Sequence, residues 1–123
     1  ETGIKIERDG IKGGKLRLCF HIMKNPVAEI GRKDIYVVMK DSRGKVLSNN
    51  EEQAGPTFES GGKEMTYTAQ TKVNYDRKRK EVCVDYSLPK GEKFDKGKHI
   101  VEVYTSERKL GEDWVLVVDK GLF

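Results

Sequence analysis

An antiparallel, immunoglobulin-like β-sandwich of about eight strands is the fold class that this 123-residue sequence predicts. Three observations carry that reading. Apolar residues recur at every second position through most of the chain, the period of a half-buried strand. Clusters of Gly, Asn, Asp and Pro break these runs about every ten to fifteen residues. No segment shows the apolar stripe of an amphipathic helix. Residues 1–123 therefore read as one β-sandwich domain, large enough to bury a core without metals or several disulfides.

The strands follow in order. Residues 3–7 form the first, stopped by Asp9-Gly10 and Gly13-Gly14. Residues 15–23 form the second, with Leu16, Leu18, Phe20 and Ile22 on the apolar phase, ended by Asn25-Pro26. The third is Ile35 to Met39, followed by a turn from Lys40 to Lys45 and then Val46-Leu47. Asp at the head of that turn and Gly44 at its end suit a type I turn leading into a left-handed residue. Residues 49–55 are polar and read as a loop. After Gly61-Gly62, residues 65–75 alternate as one long strand, with Met65, Tyr67, Ala69, Thr71, Val73 and Tyr75 in one phase. A basic turn, residues 76–80, returns the chain into a strand carrying Val82, Val84, Tyr86 and Leu88 on its core phase. Residues 90–98 read as a surface loop anchored by Phe94, and His99 to Thr105 as the next strand, with His99 at its loop edge. The last strand, Trp114 to Val118, is apolar on both phases, which predicts cover on both faces. The expected core includes Leu18, Phe20, Val37, Val73, Val84, Val101 and Leu116.

Charged residues make up 36% of the chain, with a formal net charge of +4. The basic excess is spread along the sequence, the pattern of a solvated mixed-charge surface and not of a nucleic-acid face. The run Arg77-Lys78-Arg79-Lys80 is a hairpin turn, and Phe20, Tyr67, Tyr75 and Tyr86 fall in core phases, so no exposed stacking platform accompanies it. No apolar run is long enough to span a bilayer, so this segment is expected not to insert into a membrane. Without an initiator Met or a signal peptide, it reads as a mature or excised segment.

The chain has two cysteines, Cys19 and Cys83, 64 positions apart. Each falls mid-strand on the polar phase, Cys19 with Arg17 and His21, Cys83 with Glu81 and Asp85. Opposite positions on neighbouring antiparallel strands bring Cα atoms to roughly 4.5–5.5 Å, within disulfide reach. The pattern predicts a Cys19–Cys83 disulfide on one sheet's outer face, and with it an extracytoplasmic compartment. Two reduced thiols in a cytosolic protein are the alternative.

Catalytic, metal and cofactor constellations are weak. Cys19, His21 and Cys83 fall short of the four ligands of a structural zinc site. A Cys19–His21 nucleophile lacks an orienting group, and no Gly-x-Ser-x-Gly elbow is present. Each Gly-Lys pair misses the spacing of a phosphate loop. The acidic pairs Glu51-Glu52 and Glu112-Asp113 lie in polar, loop-like stretches. The chain is therefore expected not to be an enzyme and to carry no catalytic residues, metal or cofactor. Tyr36, Tyr104 and Trp114 offer a carbohydrate platform, but the apolar run around Trp114 predicts that this ring is buried.

Five segments together resemble a known family. They are Lys15-Leu16-Arg17-Leu18-Cys19-Phe20; Asp34-Ile35-Tyr36-Val37-Val38 with Gly44-Lys45-Val46-Leu47; Met65-Thr66-Tyr67-Thr68-Ala69 with Val73-Asn74-Tyr75; Glu81-Val82-Cys83-Val84; and His99-Ile100-Val101-Glu102-Val103-Tyr104. In this order they resemble the carboxy-terminal β-sandwich domain of membrane-anchored, coiled-coil envelope proteins of Bacteroidetes. The resemblance spans Lys15 to Tyr104, and the tail from Glu112 departs from it. It implies a cell-envelope setting, a protein partner and oligomerisation through an upstream stalk, with no catalytic residues to carry over. The function expected is a non-catalytic protein-interaction or structural module; a carbohydrate-binding module is the alternative.

Overall fold

A computed structural model describes residues 4–12, 15–22, 31–48, 56–76, 78, 80–88, 94–118 and 121–122. The expected strand end at Asn25-Pro26, the polar stretch 49–55 and the first glycine pair lie outside these residues. The strands are β1 (Ile4–Lys12), β2 (Lys15–Ile22), β3 (Gly31–Lys40), β4 (Thr57–Ser60), β5 (Lys63–Thr66), β6 (Ala69–Tyr75), β7 (Lys80–Ser87), β8 (Gly97–Tyr104), β9 (Lys109–Val118) and β10 (Gly121–Leu122). Eight of them build two antiparallel sheets, one ordered β1-β2-β7 and the other β10-β9-β8-β3-β6, while β4 and β5 form a separate hairpin. Strands one, two and seven against three, eight and nine give the immunoglobulin-like division of A, B and E from C, F and G, with β6 added beside β3.

Period-two patterning explains the core. Leu16, Leu18, Phe20 and Ile22 of β2 and Val82 and Val84 of β7 meet Ile35, Val37 and Met39 of β3, Val101 and Val103 of β8 and Val115 of β9. Phe20, Val101 and Val103 are fully buried. Burying a side chain of this size contributes roughly 1.5–3 kcal/mol. Val73 is only partly buried and packs against the edge of this core.

The turn after β3 forms as its residues predict. The Asp41 amide donates to the Lys45 carbonyl, the Gly44 amide to the Asp41 carbonyl, and Asp41 Oδ1 accepts from the Arg43 and Lys45 amides. Gly44 takes a φ of +86°, where a side chain would be strained.

Four expectations are corrected. Asp9-Gly10 does not stop β1: a bulge lies between Ile6 and Arg8, after which Asp9 pairs with Leu18 and Gly10 with Arg17. Continuous pairing with β2 outweighs the local turn preference. Residues 65–75 are not one strand, because Thr68 interrupts them. Its amide donates to the Val37 carbonyl and its hydroxyl to the Leu47 carbonyl at 2.7 Å, while accepting from the Met39 amide. Buried and fully bonded, Thr68 divides the segment into β5 and β6. His99 is not at a loop edge but wholly buried in β8, in phase with Val101 and Val103. Finally, β9 is covered on one face only. Val115 and Val117 point inward, whereas Leu116, expected in the core, is 37% exposed and Trp114 51% exposed. Both belong to the phase facing away from the other sheet.

Candidate functional site

The outer face of the five-stranded sheet gathers the exposed large apolar residues found among the described residues, Trp114 and Leu116, with a set of charges. Alternation along β8 turns Lys98, Ile100, Glu102 and Tyr104 outward, because His99, Val101 and Val103 fill the core. Register with β9 sets Lys98 opposite Leu116, Ile100 opposite Trp114, Glu102 opposite Glu112 and, beyond a bulge, Tyr104 opposite Lys109. From β3, Lys40 joins the Ile100–Trp114 row, and Tyr36 sits opposite Tyr104.

This face has three zones. At one end, the Lys98 ammonium lies 4.9 Å from the centroid of the Trp114 ring, a cation–π contact beside Leu116. In the middle, Glu102 is a largely buried hub: its carboxylate accepts from the Tyr104 hydroxyl at 3.0 Å and lies 3.4 Å from both Lys40 Nζ and Lys109 Nζ. Lys109 also binds Glu112. That hydrogen bond from Lys109 holds the Glu112 carboxyl below the usual carboxylate range and raises the Lys109 ammonium in turn. Burial, then the bond to Glu102, pushes the Tyr104 phenol up.

At the far end, the β4–β5 hairpin covers the sheet with aromatic rings. Phe58, buried, stacks on Tyr36 with centroids 4.3 Å apart and planes 7° from parallel. Tyr104 and Tyr67 tilt against Phe58 at 5.6 Å and 6.1 Å. Burial, then the nearby Asp34 and Tyr67, raises the Tyr36 phenol. Ser60 Oγ donates to the Thr105 carbonyl, fixing the hairpin to the strand ends. These rings are consumed in docking the hairpin, which is why Tyr67 lies beside this cluster and not in the inter-sheet core.

The two cysteines meet as expected. Cys19 and Cys83 are direct partners across β2 and β7 and form a disulfide with Cα atoms 4.1 Å apart. The bridge lies within one sheet, unlike the immunoglobulin bridge that crosses the core. It is not a surface staple, since Cys19 is buried. His21 lies opposite Glu81, one residue pair along the strands from the half-cystine row once alternate faces are counted. Among the described residues no three potential ligands cluster to hold a metal ion, and no helix is long and apolar enough to cross a membrane.

Trp114 and Leu116 are the residues of this face that sequence reasoning misplaced. A usable signal was present: Glu112, Trp114 and Leu116 share one phase, and a charge in that phase marks an outward face. The run of apolar neighbours hid it.

Residues 7–117 match a family described as a domain of unknown function (DUF8428), and the chain belongs to it. No curated protein matches the chain in sequence. Among solved structures, the fold resembles part of β-glucosidase from Kluyveromyces marxianus in complex with glucose, at 14% identity and a TM-score of 0.54, covering 100% of this chain and 14% of that one. β-Glucosidase 3B from Thermotoga neapolitana in complex with α-D-glucose is similar at 17% identity and a TM-score of 0.52, over 96% of this chain and 16% of that one. The chain thus spans less than a fifth of either glucosidase, and at this identity the likeness concerns the fold alone.

Proposed function

We propose that the domain is a non-catalytic protein-interaction module of the bacterial cell envelope, engaging its partner through the outer face of the five-stranded sheet. One observation carries this reading: Trp114 and Leu116 stand 51% and 37% exposed, side by side with the Lys98–Ile100 stretch of β8. Large apolar side chains gathered on a solvent face favour a partner surface, and Trp is among the residues that dominate binding when buried in a contact. The Cys19–Cys83 bridge supports an oxidising, extracytoplasmic home.

Carbohydrate binding is the second reading, favoured by the same exposed indole. Against it, the Lys98 ammonium already lies over the Trp114 ring, where a sugar would stack. The other aromatic rings of this face are packed on one another.

The experiment places a photo-crosslinking residue at Leu116 and irradiates the chain in envelope extract, with a glycan array run in parallel. A discrete protein adduct that disappears in Trp114→Ser supports the interaction module. Glycan binding lost in the same variant, with no protein adduct, replaces it by the carbohydrate reading. Neither signal would sink both.

A further inference from the structure

We propose that the Cys19–Cys83 bridge is a thiol–disulfide exchange site, opened by a dithiol reductant that attacks the sulfur of Cys83 and releases Cys19 as the departing thiolate. The site is independent of the Trp114 face. It follows from where the two half-cystines sit in their sheet. The strand order is β1-β2-β7, so Cys19 belongs to the central strand and Cys83 to an edge. β1 sets Arg8 opposite Cys19 on the side away from Cys83, whereas among the described residues no strand pairs with β7 beyond Cys83. Burial follows that order: Cys19 is 3% exposed, while Cys83 is only partly buried.

Exchange is a displacement at sulfur. The incoming thiolate approaches along the S–S axis from the side opposite the departing sulfur, and access decides which sulfur is struck. Because Cys19 and Cys83 are direct cross-strand partners, that axis runs from β2 toward β7. A thiolate in line with Cys83 arrives over the open edge of the sheet; one in line with Cys19 has to come across β1. Charge does not reverse the preference. On the same outer face Arg17 stands opposite Asp85 and binds it at 3.1 Å, and His21 stands opposite Glu81, so basic and acidic residues are matched row by row around the bridge.

The first thiolate of the reductant bonds to Cys83 Sγ as the S–S bond breaks, and the electron pair leaves on Cys19 Sγ. The second thiolate then attacks the reductant's own sulfur in the mixed disulfide and releases Cys83. The reductant ends as a disulfide, two electrons and two protons pass to the chain, and both cysteines end as thiols. Eight residue pairs, from Lys15–Ser87 to Ile22–Lys80, join β2 to β7 along the backbone, so the exchange proceeds on the folded domain.

A trapping experiment on the oxidised 123-residue chain tests the proposal. The probe is a dithiol protein of the Cys-x-x-Cys class whose second cysteine is replaced by serine, which halts the exchange at the mixed disulfide. Acid quenching and alkylation cap the thiol released, and peptide mass maps both positions. The probe is expected on Cys83 and the alkyl group on Cys19, at least about tenfold over the reverse. Adducts divided evenly between the two cysteines, or favouring Cys19, overturn the proposal. A second measurement separates attack on the folded bridge from attack after unfolding. With dithiothreitol, the rate of bridge loss should stay level as urea rises below the unfolding transition. A rate that climbs steeply with urea in that range marks reduction through the unfolded chain and overturns the proposal, as does a bridge that opens only once urea is added.

Discussion

Cys19 and Cys83 are direct cross-strand partners, joined by a disulfide that ties the second strand of the fold to the seventh. The residues between them include β3 to β6, which belong to other sheets, so the bridge closes a loop that passes through the far side of the sandwich. Closing a loop with a sequence separation of 64 lowers the entropy of the unfolded chain. The expected effect of replacing both cysteines with alanine is a loss of about 4 kcal/mol, read as a lower urea midpoint. Intact mass before and after reduction checks the bridge itself: the oxidised chain is lighter by its two thiol hydrogens and resists alkylation.

Phe20 and Trp114 make a matched test of which faces are buried. Phe20 is fully buried between the sheets, so Phe20→Ala should cost about 3–5 kcal/mol. Trp114 is half exposed, and its replacement by Ser removes little besides the Lys98 contact, so the change should stay within about 1 kcal/mol. Thermal unfolding of the two variants checks both values. A large loss in Trp114→Ser would mean that the indole is part of the core, which would undo the exposed-face argument.

Thr68 holds the hairpin connection to β3. Its hydroxyl donates to the part-buried Leu47 carbonyl and accepts from the buried Met39 amide at 2.9 Å. Thr68→Val keeps the shape and strands both backbone groups. We expect a loss of about 2 kcal/mol. Faster amide exchange at Met39 in this variant, with the amides of β2 unchanged, would localise the effect to this junction.

Asp41 makes the turn after β3 sensitive to acid. Burial raises its carboxyl, but the amides of Lys45 and Arg43 together outweigh that and leave it below its ordinary value of 3.8. A carboxyl lowered by folding stabilises the native state above its unfolded pKa, and that contribution is lost as pH falls through the folded one. Stability should therefore be fully supported by Asp41 above about pH 5 and decline below pH 3.8. Asp41→Asn should flatten this acid limb while lowering stability at neutral pH. Urea midpoints between pH 7 and pH 2.5 would show it, and an unchanged acid limb would remove Asp41 from the account.

His99 is buried with Nδ1 3.1 Å from the Gly97 carbonyl and Nε2 without a hydrogen-bond partner. With Nδ1 as donor, the unpartnered Nε2 carries the lone pair. Replacing His99 with Leu should cost no more than about 1 kcal/mol, because the ring contributes packing and a single hydrogen bond. Chemical denaturation of His99→Leu is the measurement; a loss several times larger would reveal a polar role for Nε2.

The sequence by itself determined the fold class, the two cysteine strands and most of the core. Residues such as Leu18, Phe20, Val84 and Val101 alternate strictly, and a strand's period leaves each side chain only two faces to choose between. The same alternation put Cys19 and Cys83 in one phase, so their meeting required only that β2 and β7 be neighbours. Where alternation failed, only the tertiary structure decided. From Trp114 to Val118 both phases are apolar, and that run taken alone does not tell a strand covered twice from one that leaves a face open; only Glu112, just upstream in the phase of Trp114, hints at the open face. The answer depends on where β4 and β5 fold back: their hairpin covers the Tyr36 and Tyr104 end of the sheet and stops short of Trp114. Long-range hydrogen bonds fixed that placement, chiefly those of Thr68 to β3 and Ser60 to Thr105, and such bonds join residues far apart in the chain whose pairing no local period records.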